Sequence, residues 1–237
     1  MILDNPTLIV KTALIDKAIA KYGIRSIMDV GACWGVNGGY TFHALENGVE
    51  NAIILDGNIT TLTRERAKKY SDRVACLQMD LGDIAAVQDL PEVDAIILFD
   101  ILLHQVRPDW DTFMAMYAEK ANVIIVYNQN FIGERTIRFI DFGRDFYKKY
   151  RFFRDQKTID DWFSKHNEID PISNKQYRDI HNFWQFGITS TDIIQKANSL
   201  HFKLDFFENN GILTNELPFI EVHSFLFHKD NRNPLFI

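Results

Sequence analysis

Four short apolar runs in this 237-residue chain each end on, or lead into, an aspartate: Asp29, Asp56, Asp80 and Asp100. Asp29 is followed by the small-residue loop Gly31-Ala32-Cys33-Trp34-Gly35, Asp56 by Gly57-Asn58, Asp80 by Leu81, and Asp100 by a segment reaching His104. Ionised carboxylates are acceptor-only groups with several lone-pair sites, and glycines let backbone approach a bound molecule closely. An imidazole titrates near neutrality, which suits it to moving a proton. His104 is therefore a candidate general base or substrate contact, the alternative being a structural histidine bonded to loop carbonyls. A dinucleotide is a poor match. Its fingerprint needs glycine at the first, third and sixth loop positions, and counting from Gly31 places Cys33 and Val36 at the last two. The middle glycine admits a pyrophosphate, so Cys33 disfavours a nucleotide-binding oxidoreductase and favours a cofactor without phosphates.

These residues need a scaffold that brings distant strand ends together. Segments 26–30, 52–56, 74–79, 94–100 and 123–127 are short and almost continuously apolar, as expected for strands covered on both faces. Between them, 38–47, 59–70, 84–89 and 110–120 are long enough for crossover helices. The alternation predicts an α/β fold built on a doubly wound, mostly parallel sheet with helices on both faces. Ligands bind such sheets at the carboxyl ends of the strands, where all four aspartates fall. A helix at 189–200, capped by Ser190 or Thr191, and two alternating segments at 202–208 and 221–228 predict an antiparallel pair closing a seven-stranded sheet. Asn209-Asn210-Gly211 is expected to start their connection.

The organisation expected is one domain over 1–237: an N-terminal helix (1–24), a cofactor-binding core (25–130), a helical lid inserted after strand five (131–187), and the closing helix and strand pair (188–230). Asn5-Pro6 reads as the cap of the first helix, with Leu8, Ala13, Leu14, Ile15, Ala18 and Ile19 on its apolar side. Asp4, Lys11, Asp16 and Lys17 interrupt the N-terminal apolar residues, which argues against a secretory signal. Two cysteines without ligand spacing predict neither disulfide nor zinc site, and a soluble cytoplasmic protein is expected. The net charge of −6 argues against a broad nucleic-acid surface, and no run approaches membrane-spanning length. The 19 phenylalanines point to a large aromatic core or a greasy cavity.

Met28-Asp29-Val30-Gly31-Ala32-Cys33-Trp34-Gly35 resembles the first motif of the class I S-adenosylmethionine-dependent methyltransferases, with Cys33 replacing the middle glycine. The resemblance covers about 25–130 and 189–228. It implies methyl transfer from S-adenosylmethionine, leaving S-adenosylhomocysteine. It implies that Asp56 and Gly57 hold the ribose, Asp80 and Leu81 the adenine, with Asp83 near enough to substitute for Asp80, and Gly31, Ala32, Cys33 and Gly35 the methionine moiety. Asp29 either contacts the cofactor or braces the loop, and Asp100 contacts the cofactor or caps the next turn. Asp100-Ile101-Leu102-Leu103 lacks the Asn/Asp-Pro-Pro-aromatic motif of the DNA amino-methylating members, so DNA is not the expected substrate. Tyr127-Asn128-Gln129-Asn130 lacks the Asp-Asn pair of the metal-dependent members, so no metal is expected.

The insertion is rich in Arg, Lys and aromatics. It predicts either a lid that recognises an anionic acceptor or a solvated basic face over an ordinary packing stripe. Arg135, Tyr147, His181 and Trp184 are its candidate acceptor contacts, joined by Trp34 of the glycine loop, for which packing on the first helix is the alternative. The expected acceptor is a small or carrier-linked molecule, methylated on oxygen. RNA or protein methylation and a non-catalytic cofactor-binding module are the other readings, and the oligomeric state is open.

Overall fold

The computed structural model describes residues 6–150, 156–172, 174–179 and 184–229. Five apolar runs form parallel strands: β1 (Ser26–Val30), β2 (Asn51–Asp56), β3 (Val74–Gln78), β4 (Val93–Phe99) and β5 (Ala121–Phe131). Helices cover both faces of the inner strands β1 and β4, whereas β3, at the sheet edge, leaves Ala75, Leu77 and Gln78 exposed. After β5, the two-residue strands β6 (Ile137–Arg138) and β7 (Phe186–Gly187) pair separately. β8 (Phe202–Ile212) and β9 (Ile220–Lys229) then complete a seven-stranded sheet of order β3-β2-β1-β4-β5-β9-β8. β9 runs antiparallel to both its neighbours.

Alternate side chains of each strand enter different cores. On one face Ile27, Ala52, Ile54, Ile97 and Ile125 meet Leu14, Ile15 and Ala18 of α1 (Pro6–Tyr22), Phe42 and Leu45 of α2 (Gly39–Glu46), and Ala67 of α3 (Thr61–Ala67). On the other, Met28, Leu55, Ile96 and Ile124 meet Val87 of α4 (Ile84–Gln88) and Phe113, Met114 and Tyr117 of α5 (Trp110–Ala118). The segment after β5 adds α6 (Gly143–Tyr150) and α7 (Gln156–Lys165), which share a third core around Phe139, Tyr147, Trp162 and Trp184. The last helix, α8 (Ser190–Ser199), lays Ile193 and Ala197 on the second face.

Local chemistry sets several boundaries differently from the sequence pattern. Thr189, not Ser190 or Thr191, caps α8: its Oγ1 accepts the Asp192 N–H at 3.1 Å. The Ser190 hydroxyl is instead hydrogen-bonded to His223 Nδ1. Asn209-Asn210-Gly211 lies within β8 rather than starting its connection, at a register shift where Gly211 takes φ 93°. Ala13, placed by pattern on the apolar side of α1, is exposed, whereas Lys11 is buried. Asn5, the proposed cap of α1, lies outside the described residues.

Thr189→Ala should lower stability by about 1 kcal/mol, the usual worth of a side-chain cap, while exposed Thr191→Ala should change it by less than about 0.5 kcal/mol. Urea unfolding of the two variants distinguishes the assignments.

Candidate active site

The order of strands reverses between β1 and β4, and the loops leaving their carboxyl ends lie against each other there. Gly31 opens the β1 loop at φ 78°, and a Cβ on it would lie 2.7 Å from Ile101 Cδ1. Gly35 is also left-handed, at φ 73°, with open space where its side chain would be. Both positions thus need glycine for backbone reasons, and only Gly31 for close approach as well. The loop is held from behind: Gly31 N–H bonds Leu55 O at 2.8 Å, and Arg66 Nη1 donates to Val36 O and Asn37 O.

Cys33 explains how a side chain is tolerated at the middle loop position. Its Sγ turns inward to within 3.4 Å of Thr63 Oγ1, and burial raises the thiol above its ordinary range. Its N–H donates to Asp56 Oδ2 at 2.8 Å, while Asp56 Oδ1 accepts from Asn58 N–H at 2.9 Å. Each Asp56 oxygen has one bond within the protein and lone-pair capacity beyond it. Ala32 is buried and Gly57 exposed beside this pair. Asp80 is exposed, with Oδ1 accepting the Gly82 N–H at 3.0 Å, and Leu81 O accepts from the Tyr117 hydroxyl at 3.0 Å. Asp83 is occupied otherwise: it caps α4 through the N–H groups of Ala85 and Ala86.

Asp29 lies beneath the loop, buried, with Oδ2 accepting from Thr41 Oγ1 of α2 at 2.7 Å. Desolvation pushes its carboxyl up to about 6, partly offset by the Thr41 bonds. This geometry favours the bracing role over direct contact. Trp34 is 89% exposed, so its indole is not packed on α1. Asp100 takes φ 51°, its N–H bonds Tyr127 O at 2.8 Å, and its Oδ1 accepts from Gln129 Nε2 at 3.4 Å. Its Oδ2 accepts from the ammonium of Lys11, which the sequence pattern marks only as an interruption of the apolar side of α1. His104 closes the short 3-10 turn Leu102–His104 and is half-buried.

No family model matches the chain, and no curated protein matches it. Solved structures do. The chain is similar to the 1,6-didemethyltoxoflavin-N1-methyltransferase of Burkholderia thailandensis, solved with its substrate and S-adenosylhomocysteine (TM-score 0.61, 12% identity, covering 96% of this chain and 80% of that one). It is similar to the N-terminal domain of EvdMO1, solved in the presence of S-adenosylhomocysteine and D-fucose (TM-score 0.58, 12% identity, 96% and 84%). It is also similar to the magnesium protoporphyrin IX methyltransferase of Synechocystis PCC 6803, solved with S-adenosylmethionine (TM-score 0.55, 13% identity, 94% and 78%). The fold is that of the class I methyltransferases.

Within the methyltransferase fold, the segment after β5 stands beside the carboxyl ends of β4 and β5. Leu103 joins its core, and the Gln185 N–H bonds Leu103 O at 3.1 Å. Tyr147 and Trp184, candidate acceptor contacts, are buried inside this unit: the Tyr147 hydroxyl donates to Trp184 O at 2.9 Å, and Trp184 Nε1 to Phe186 O. Arg135 is exposed, and His181 lies outside the described residues. Several of the unit's cations meet its own acids, Arg138 with Asp179, Lys148 with Asp160 at 2.7 Å and Arg178 with Asp141 at 3.7 Å; their half-buried side chains match neither an anion-recognising lid nor a solvated face. Lys175 reaches out instead, 3.6 Å from Asp80 Oδ2. Among the described residues no group of three or more His, Cys, Asp or Glu is arranged to hold a metal, and no helix is long and apolar enough to cross a membrane.

Because the Asp29 carboxyl is raised in the folded protein, folding takes up a proton between about pH 4 and 6. Its contribution favours the fold below pH 4 and is lost as pH rises through 6. The stability of the natural protein relative to Asp29→Asn should therefore fall by roughly 3 kcal/mol from pH 3.5 to pH 7, read from urea midpoints across that range.

Proposed function

We propose that this protein is an S-adenosylmethionine-dependent methyltransferase acting on a small or carrier-linked acceptor, with a hydroxyl oxygen as the methylated atom. One observation carries the reading: Asp56, at the end of β2, is bonded to the N–H of Cys33 in the left-handed glycine loop. That bond puts a carboxylate with spare lone pairs beside backbone that admits close approach, in a methyltransferase fold. Metabolite methyltransferases among the similar structures support the acceptor class.

The residues present fit the cofactor. Asp56 offers acceptors for two ribose hydroxyls, and exposed Asp80 with Leu81 is proposed to receive the adenine amine. The Gly31–Gly35 backbone is proposed to line the methionine moiety, and Cys33 does not stand in the way, since its Sγ turns toward Thr63. When bound, S-adenosylmethionine supplies the methyl group on a sulfonium. The chain's own tasks are then to align the acceptor, exclude water and take the hydroxyl proton. His104, half-buried and with its N–H bonded to Ile101 O at 3.1 Å, is the group proposed to take it. Exposed Trp34 and Arg135 remain proposed acceptor contacts; buried Tyr147 and Trp184 act through the shape of the unit that carries them.

Isothermal titration should show S-adenosylhomocysteine binding and no NADH binding; the reverse would replace the reading with a dinucleotide enzyme. Asp56→Ala and Asp80→Ala should each weaken that binding about tenfold or more. Asp83→Ala should lower stability by about 1 kcal/mol and leave affinity unchanged. His104→Ala should reduce turnover on an identified acceptor at least about a hundredfold with cofactor affinity retained, and near-normal turnover at pH 7 assigns it a structural role. Radiolabelled methyl incorporated only into RNA, with none in metabolite pools, overturns the small-molecule acceptor.

A further inference from the structure

The antiparallel pair that closes the sheet carries a second group of reactive side chains, away from the glycine loop. β9 lies two strands beyond β4 in the sheet order. Along it, Glu221, His223, Phe225 and Phe227 alternate onto one face, the face on which α8 packs. Phe225 and Phe227 belong to the core there, and the stripe turns polar beside the first turn of α8. His223 is buried, hydrogen-bonded through Nδ1 to the Ser190 hydroxyl and through Nε2 to Glu221 Oε2 at 3.0 Å. Asn209 Nδ2 of β8 donates to the same carboxylate oxygen at 2.9 Å and holds it in place.

The order of these bonds fixes where the protons are. An ionised Glu221 can only accept, so it takes the Nε2–H and leaves Nδ1 with a lone pair toward the Ser190 hydroxyl. Burial holds the imidazole below its ordinary value, so the ring is the free base at neutral pH. A hydroxyl that donates to a base, itself oriented by a third group, is the arrangement that activates an oxygen nucleophile. Helix capping does not account for Ser190, since Thr189 fills that role. As the first two residues of α8, Ser190 and Thr191 carry N–H groups without an acceptor inside the helix, whereas the Asp192 N–H is taken by Thr189 Oγ1. Those N–H groups favour a negative oxygen beside Ser190. The Asp192 carboxylate in the same turn is bonded to Thr136. Ser190 is half-buried, and Phe207, 44% exposed, offers apolar surface with its ring 5.2 Å from the imidazole.

We propose that Ser190, His223 and Glu221 form a second catalytic centre, an acyl-transfer site for small carboxylic esters, with Ser190 as nucleophile, His223 as general base and Glu221 as positioning residue. Ser190 Oγ bonds to the ester carbonyl carbon as its proton passes to His223 Nδ1. The carbon–oxygen bond to the alcohol then breaks, and the alcohol leaves with that proton. Water attacks the acyl-serine with the same base, which releases a carboxylic acid and restores Ser190. The centre is separate from the methyl-donor edge and does not depend on its reading.

The test exposes the full chain to an alkyl fluorophosphonate, on which Oγ forms a bond to phosphorus and fluoride leaves, and maps the adduct by peptide mass spectrometry. Ser190 should be modified at least about a hundredfold faster than Ser164 and Ser199, whose hydroxyls donate to backbone carbonyls. His223→Gln should slow that modification at least about a hundredfold. Glu221→Gln should slow it at least about tenfold, because the amide keeps a hydrogen bond to the ring but can donate, which releases the tautomer. Glu221 is half-buried, so this variant keeps the proposal testable if His223→Gln does not fold, as judged by circular dichroism. Release of p-nitrophenol from its acetate ester should be lost in Ser190→Ala. Absence of a Ser190 adduct on the folded natural protein overturns the proposal, and so does a modification rate that either folded variant retains. Either result makes the three side chains a polar fastening of α8 to β9.

Discussion

The chain can turn away from β1 as it does only because Gly31 is left-handed and lies against Ile101. At φ 78° an L side chain is strained, and a Cβ there would meet the Ile101 side chain. That single contact joins the first and fourth strand ends, which lie next to each other because the sheet order reverses between them. Much else at the carboxyl edge is arranged around it. Asp56 bonds the loop from the second strand, Asp29 and Thr41 tie its base to α2, and Asp100 follows Phe99 on the opposite bank.

The electrostatics of this edge divide into charges taken up within the fold and charges that keep acceptor capacity to spare. Asp29 belongs to the first kind: burial raises its carboxyl, and the Thr41 hydroxyl limits the rise. Asp83 and Asp192 are likewise taken up locally, one capping α4 and the other accepting from Thr136 N–H and Oγ1. Asp56 and Asp80 keep capacity for outside donors. The segment after β5 is drawn into the same system through Lys175 beside Asp80, while its aromatic residues pack among themselves. On the far side, His223 links Ser190 of α8 to Glu221 of β9, with Nε2 3.0 Å from Glu221 Oε2, and burial keeps its imidazole toward the neutral form.

The strands were legible because a strand covered on both faces must be apolar at nearly every position, which leaves little ambiguity in segments as short as 26–30. The aspartates near their carboxyl ends were legible because an acid is uncommon within such a strand, and Asp29, buried inside β1, is an exception held by Thr41. Side-chain direction was not legible in the same way. Cys33 looked like an obstruction, and it is accommodated because Thr63 of α3 receives it on the side away from the loop's outer surface. Tyr147 and Trp184 looked like pocket residues and are core, because the segment after β5 folds into an aromatic unit of its own. Lys11 did carry a signal, a cation within an apolar stripe at helical spacing, but that pattern also describes a side chain that snorkels to water.

The amino-acid sequence by itself determined the alternation of strands and helices, the doubly wound sheet and the identity of the acids at its carboxyl edge. These follow from periodicity and from the cost of burying polar groups, which are local properties of the chain. Tertiary structure alone decided which acids are buried and which face outward, which cation meets Asp100, and that Trp34 is open to solvent. Those outcomes depend on residues separated by up to 89 positions, as in the Lys11–Asp100 pair. No local pattern specifies a contact that exists only when a helix from the chain's start is laid across the end of its fourth strand.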